Sequence, residues 1–388
     1  FPGAKYASPP HNAERPPNVV ESSSSAPDQA ESSGDGTAHH EGMHKHSAIS
    51  GIKKIEDLTC PFVNSHGSKP FEKVECPTMP DPGYPKHYSA RDVLGNWGTD
   101  DAGTIPAMHY DSFCHFDWSK PEDRFKAENY RRAEVPFIIY NNRELDKTAL
   151  KWNSPDYIDG MLERKQYMTE TSTNNHFMYW HKPGRKWMEK TSSWKPPTGN
   201  ERETYTQWLE IAMKGQTSAP EDTVYRYFRA SAGEHYKWVS EDLPFFSSKR
   251  PPSVFMVKPH ESHGVHCRFG MKGVIAEAHW DSSRNMVAMI GGLRRWILAH
   301  PRSCTDMYIY PHDHPSGRHS SVDWSQPDWE KFPRFENVQL NEVILQGGDF
   351  LYVPTDWIHY IVNIGVNYQC NCRSGVETNL RSYVNKCK

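Results

Sequence analysis

From Pro252 onward the chain breaks into short runs of apolar and β-branched residues, each closed by glycine, proline or aspartate. Val254–Val257, His266–Phe269, Val287–Ile290, Trp296–Ala299, Phe350–Val353, Ile358–Ile364 and Asn367–Arg373 are all strand-sized. Runs of this length and spacing predict a sandwich or a closed barrel. None approaches the roughly 18 apolar residues of a membrane-spanning helix. Upstream, Pro136–Tyr140 reads as a further buried strand. Ser154-Pro155 forms an N-cap and first-turn pair for a short helix, and a second helix is predicted around Tyr205–Met213. The expected class is mainly β with flanking helices.

The remaining chain divides by composition. Residues 1–50 carry many serines and prolines and few large apolar groups, so burial there cannot offset the entropy of ordering, and a flexible tail is predicted. Its His39, His40, His44 and His46 are read as a solvated patch. Residues 51–133, rich in proline and aromatics but weakly periodic, are expected to wrap irregularly over a core, with Cys60 and Cys76 as a candidate staple. The main domain is placed at 134–380 and a short tail at 381–388.

Lys+Arg 45 against Asp+Glu 48 gives a net charge of −3, which supplies no bulk attraction to nucleic acid, so no nucleic-acid partner is expected. The eight cysteines include no Cys-x-x-Cys pair, which argues against structural zinc. That even count, a first residue that is not Met and the Ser/Pro-rich start lean towards the secretory pathway lumen or secretion, with cytoplasm or nucleus as the alternative.

His279-Trp280-Asp281 places an imidazole and a carboxylate at i and i+2, which on a strand project from one face. With a distant histidine, such a pair makes the facial triad that holds a non-haem Fe(II). The same pattern occurs at His109-Tyr110-Asp111 and His115-Phe116-Asp117, so context must choose. Only His279-Trp280-Asp281 is flanked by Gly270-Met271-Lys272-Gly273 and by Asn285 with a hairpin-like turn at Gly291-Gly292. It is followed by Gly347-Gly348-Asp349-Phe350-Leu351-Tyr352-Val353-Pro354-Thr355-Asp356-Trp357-Ile358-His359. His359 reaches the same metal only if the sheet folds back on itself, as in a double-stranded β-helix.

With these segments in order, Val135 to Gly375 resembles the Jumonji-C, cupin-type Fe(II) and 2-oxoglutarate-dependent oxygenases, in particular their small hydroxylase branch. The resemblance implies a double-stranded β-helix (jelly-roll) core with His279, Asp281 and His359 on Fe(II). Arg294 stands where relatives usually place a lysine for the distal carboxylate of 2-oxoglutarate, while Arg295 faces away. Asn285 and Asn371 match polar positions near the cosubstrate. An inward Asn371 sends Cys370 and Cys372 outward, where Cys387 or Cys304 are candidate partners. Ala276 departs from the family's usual Thr or Ser.

The resemblance further implies a dioxygenase consuming O2 and 2-oxoglutarate, with ascorbate as reductant, that hydroxylates or demethylates a protein or peptide substrate. Lysyl, asparaginyl and arginyl side chains are the expected targets. Asp306–Phe335 is the expected wall of the substrate groove. Two alternatives remain open: a non-catalytic, metal-binding secreted or matrix protein on the cupin fold, and a small-molecule cupin enzyme that does not use 2-oxoglutarate.

Overall fold

The computed structural model describes residues 75–387, apart from 99–104, 107–108, 192 and 219. The expected tail at 1–50, its histidine patch and Cys60 lie outside the described residues. In chain order the strands are β1 (Tyr88–Ser89), β2 (His115–Asp117), β3 (Phe137–Tyr140), β4 (Tyr167–Ser172), β5 (His176–Phe177), β6 (Gly199–Glu203), β7 (Tyr225–Ala232), β8 (Ser262–Gly270), β9 (Ile275–Trp280), β10 (Asn285–Gly291), β11 (Leu293–Ala299), β12 (Gln339–Gln346), β13 (Phe350–Val353), β14 (Ile358–Asn363) and β15 (Asn367–Ser374). One sheet runs β1-β12-β11-β14-β9-β5 and the other β2-β3-β13-β10-β15-β8-β7-β4-β6.

From β8 to β15 successive strands alternate between the sheets, except that β11 and β12 share one and are joined by the long segment between them. The four antiparallel strands β12-β11-β14-β9 thus face β13-β10-β15-β8. This alternation is the double-stranded β-helix, so the expected class holds. Val287, Met289, Trp296, Leu298, Leu351 and Val353 fill the space between the sheets. Met286, Ala288 and Ile290 face outward into a second cluster under the helices. Burial of both faces of β10 explains why its sequence reads as a continuous apolar run.

Some local expectations are corrected. The Gly291-Gly292 turn is no hairpin, because β10 and β11 lie in different sheets. Gly292 makes the corner at φ +73°, and a Cβ there would come 2.5 Å from the Val366 carbonyl oxygen. Val254–Val257 is not a strand: Ser253 and Met256 exchange backbone hydrogen bonds of 3.2 and 3.1 Å across a tight turn. An apolar run of four residues carries no periodicity that separates the two outcomes. The two predicted helices form, as Pro155–Met161 behind a Ser154 cap and Tyr205–Gly215 behind a Thr204/Gln207 capping box.

The segment expected to wrap irregularly contains, among its described residues, the helices Ala90–Asn96 and Pro121–Arg132. It also supplies β2, which pairs in parallel with β3 and so joins the larger sheet. The second helix escapes a periodicity reading because it buries only Ala127, Asn129 and Tyr130. Cys76 bonds Cys114 rather than Cys60. Cys370 bonds Cys267, its direct neighbour across β8 and β15, and Cys304 bonds Cys387. Cys372 is a buried free thiol beside Ser262.

Two half-buried histidines make stability pH-dependent. His300 Nδ1 accepts the Arg302 N–H at 3.0 Å, and His87 Nδ1 accepts from Asn341 Nδ2 at 2.9 Å. Both arrangements require a neutral ring. Burial, with Arg302 adding to it, lowers each from 6.5 to about 4. The unfolded chain therefore takes up these protons first, and the stability they support is lost as pH falls from 6.5 towards 4. The melting temperature is expected to be higher at pH 7.5 than at pH 5, as thermal denaturation would show.

Candidate active site

β9 and β14 are adjacent and antiparallel, and their register sets His279 directly opposite His359. Eighty positions of sequence separation collapse to a ring-centroid distance of 4.3 Å. Asp281 follows just past the end of β9, where its carbonyl accepts the Asp356 N–H at 2.9 Å and ties the two strand ends together. The ligand atoms of His279, Asp281 and His359 lie within 4.8 Å of one another. No other cluster of His, Cys, Asp or Glu of this kind is present among the described residues. The competing motifs make ordinary contacts: His115 Nε2 pairs with Asp111 at 3.0 Å, and Asp117 accepts from Ser119 and Asn141.

The chemistry of the donors fits a divalent metal. His279 Nδ1 donates to the Glu277 carbonyl at 2.7 Å and His359 Nδ1 to the Trp357 carbonyl at 3.1 Å. Each bond leaves the Nε2 lone pair for a ligand, as metal-binding histidines require. Burial pushes His279 well below the usual imidazole range, with His359 and His319 adding to it, and burial also lowers His359. Burial alone would raise Asp281, but Arg373 at 2.6 Å and the two histidines override it and hold the carboxyl at about 2. The set is thus two neutral imidazoles and one carboxylate.

Behind the carboxylate, Asn371 Nδ2 donates to Asn285 Oδ1 at 2.9 Å, and Asn285 Nδ2 lies 3.4 Å from Asp281 Oδ2. The chain of amides orients Asp281. Asn371→Ala is expected to weaken metal binding by about 10- to 100-fold, the usual cost of losing a residue that holds a ligand in place. A metal titration followed by isothermal calorimetry checks this.

The triad opens into a cavity of about 340 Å³. Asn285 and Asn371 line it, as does Ala276. A register shift between His359 and Ile361 marks a bulge that brings Ala276 and His279, three residues apart, to the same side. The 306–335 insertion supplies Arg318 and His319, the latter stacked on His279 at 5.0 Å. A second depression of about 270 Å³ shares Tyr179 and Arg318 with the first.

The profile of the cupin-like domain family matches residues 122–372, well over half of the chain. The chain belongs to the Jumonji-C/cupin-type oxygenase family. It is 30% identical over 253 residues to the tRNA wybutosine-synthesizing protein 5 of Gallus gallus, covering 62% of this chain and 70% of that one. It is 24% identical over 234 residues to lysine-specific demethylase JMJ30 of Arabidopsis thaliana, covering 60% and 48% respectively. With lysine-specific demethylase 8 of Xenopus tropicalis it shares 33% over 105 residues, or 27% and 23%. The chain thus spans about half or less of the length of the two demethylases. Enzymes of this family generally use Fe(II) and 2-oxoglutarate, and the triad has the donors for that metal.

Set against the family pattern, the basic residues around this cavity are unusual. Arg294 faces inward from β11 and Arg295 outward, as alternation predicts. Yet Arg294 is fully buried and is not part of the cavity wall. Its guanidinium is spent on Asn367, on the Tyr227 hydroxyl at 3.2 Å and on the Arg268 carbonyl at 3.0 Å. Tyr227 stands between it and the cavity. The wall itself carries Arg229, Arg268, Arg318 and Arg373 against Glu170 and Asp281. The sequence reading missed these arginines. One signal was available for Arg268, a cation set between Cys267 and Phe269 on a strand, and one for Arg373, which shares a face with Asn371.

Proposed function

We propose that this chain is an Fe(II)- and 2-oxoglutarate-dependent oxygenase that hydroxylates an uncharged side chain of a protein substrate, asparaginyl before lysyl or arginyl. The convergence of His279, Asp281 and His359 at the head of a polar cavity carries the reading. Fe(II), when bound, supplies oxygen activation coupled to oxidative decarboxylation of 2-oxoglutarate. The chain's own residues do the rest. The carbonyls of Glu277 and Trp357 hold the two imidazoles in the ligating tautomer. Asn285, Asn371 and Arg373 hold the carboxylate ionised and oriented. Trp296 and Ile361 give the cavity an apolar side that limits water near the reacting centre.

Charge selects among the candidate side chains. Four arginines in the wall against two carboxylates disfavour a lysyl or arginyl group, whereas a neutral amide meets no such penalty. The depression beside Tyr179 and Arg318 is suited to the flanking backbone. Ascorbate is the expected reductant. Incubation of the Fe(II) protein with 2-oxoglutarate, ascorbate and a peptide library is expected to add one oxygen atom to asparaginyl peptides, read by mass spectrometry. Oxidation confined to lysyl or arginyl peptides overturns the side-chain choice, and oxidation of tRNA with no peptide product overturns the protein substrate.

We also infer a disulfide-permitting compartment, the secretory lumen before cytoplasm or nucleus. Three cystines, Cys76–Cys114, Cys267–Cys370 and Cys304–Cys387, support it. Alkylation of the denatured, unreduced native protein is expected to label Cys372 and to spare those six. Labelling of all eight cysteines would place the protein in a reducing compartment.

A further inference from the structure

Among the described residues that line the cavity, one deep cation forms no ion pair of its own. Arg229 is paired with Glu170, and Arg373 with Asp281 at 2.6 Å. Arg318 sits at the mouth, where it is shared with the outer depression. Arg294 is enclosed behind Tyr227, with each of its three nitrogens already donating one hydrogen bond. Arg268 differs from all of these. It lines the cavity from β8, donates to its neighbour's Cys267 carbonyl at 3.3 Å, and forms no ion pair among the described residues.

Its surroundings favour an anion. In the sheet register Arg268 stands between Arg229 on β7 and Gln369 on β15. All three residues face the cavity. Burial, and then the Arg229 guanidinium, push Arg268 down to about 9. A cation desolvated beside a like charge is costly unless a bound anion repays it. The Tyr227 hydroxyl oxygen accepts from Arg294, so its own proton is available to a ligand on the cavity side.

We propose that Arg268, from β8, rather than Arg294, from β11, binds the distal carboxylate of the 2-oxo diacid cosubstrate, with Arg294 acting as a positioning residue through Tyr227. The proposal rests on the oxygenase reading above. A guanidinium fork matches a carboxylate in two parallel hydrogen bonds. It also gives Ala276 a physical context: the hydroxyl missing there is compensated from the facing sheet.

The test compares two ligands on Mn(II)-loaded full-length protein by isothermal calorimetry. These are 2-oxoglutarate and pyruvate, a 2-oxo acid that lacks the second carboxylate. The parent protein is expected to prefer 2-oxoglutarate by about 10- to 100-fold, the range of a charged hydrogen-bonded pair. Arg268→Met is expected to erase that preference and leave pyruvate affinity within about 3-fold. Arg268→Lys should retain part of it. Because the readout is a ratio of two ligands on the same folded molecules, a destabilised variant still reports it. A preference that survives in Arg268→Met overturns the assignment, whereas Arg294→Met, which loosens Tyr227 and the Arg268 backbone, is expected to lower the preference only in part. A parent protein that binds Mn(II) but not 2-oxoglutarate overturns the oxygenase reading itself, an outcome distinct from a failure at Arg268.

Discussion

His359→Ala is expected to abolish Fe(II) binding and, with it, succinate formation from 2-oxoglutarate. His279→Ala should behave alike, because the two rings face each other across β9 and β14 with Nδ1 already committed to backbone carbonyls. Removing either takes away a donor atom, so the loss should exceed the about 10- to 100-fold that follows when only a ligand's support is removed. Two remaining donors leave the metal exchangeable at any ordinary concentration. The measurement is succinate released by purified protein with Fe(II), ascorbate and 2-oxoglutarate under air, beside each variant. Succinate from the parent alone establishes the oxygenase. Parent protein that binds metal without making succinate, with or without a peptide, favours the non-catalytic cupin or the enzyme that does not use 2-oxoglutarate. Equal succinate from parent and variants would remove His279 and His359 from the site.

Glu342→Gln is expected to produce the largest loss of stability. Arg295 and Glu342 are both fully buried on the outer side of the six-stranded sheet, paired at 2.6 Å. The same guanidinium donates to the carbonyls of Trp97 at 2.8 Å and Val93 at 2.9 Å. It thereby fastens the helix Ala90–Asn96 to β11. Glu342 also accepts the Tyr110 N–H at 2.9 Å. Neutralising the acid strands a buried cation, which costs about 3–5 kcal/mol. Urea denaturation at neutral pH reads it as a lower midpoint with an unchanged slope. The double variant Arg295→Leu/Glu342→Leu should lose less than Glu342→Gln, since it leaves no uncompensated charge. A single-variant loss below about 1 kcal/mol would show that water reaches the pair.

Much of this protein is legible along the chain because the determining physics is local. Strand runs between glycines and prolines, the Ser154-Pro155 helix start and the His279-x-Asp281 spacing each follow from backbone preference and side-chain alternation within a few residues. So does the inward direction of Arg294 and the outward direction of Arg295. The resemblance of ordered blocks from Val135 to Gly375 adds His359, since only a sheet that doubles back brings it to His279. The misreadings share another cause. Val254–Val257 is too short for its periodicity to be read, and Pro121–Arg132 shows the outside a mostly charged face.

What the sequence, with the resemblance it carries, indicates is therefore the class, the doubling back of the barrel and the candidate ligands His279, Asp281 and His359. Tertiary structure alone decides which cysteine meets which, since Cys267 faces Cys370 only through the register of β8 on β15. It alone decides that Arg294 is sealed behind Tyr227 while Arg229, Arg268 and Arg373 share one cavity. These residues come from β7, β8 and β15, neighbours through hydrogen bonding although β15 lies far along the chain from the other two. No local rule carries such information, because a side chain's charge environment is set by the strands on either side of it, and cross-strand register is a property of the assembled sheet.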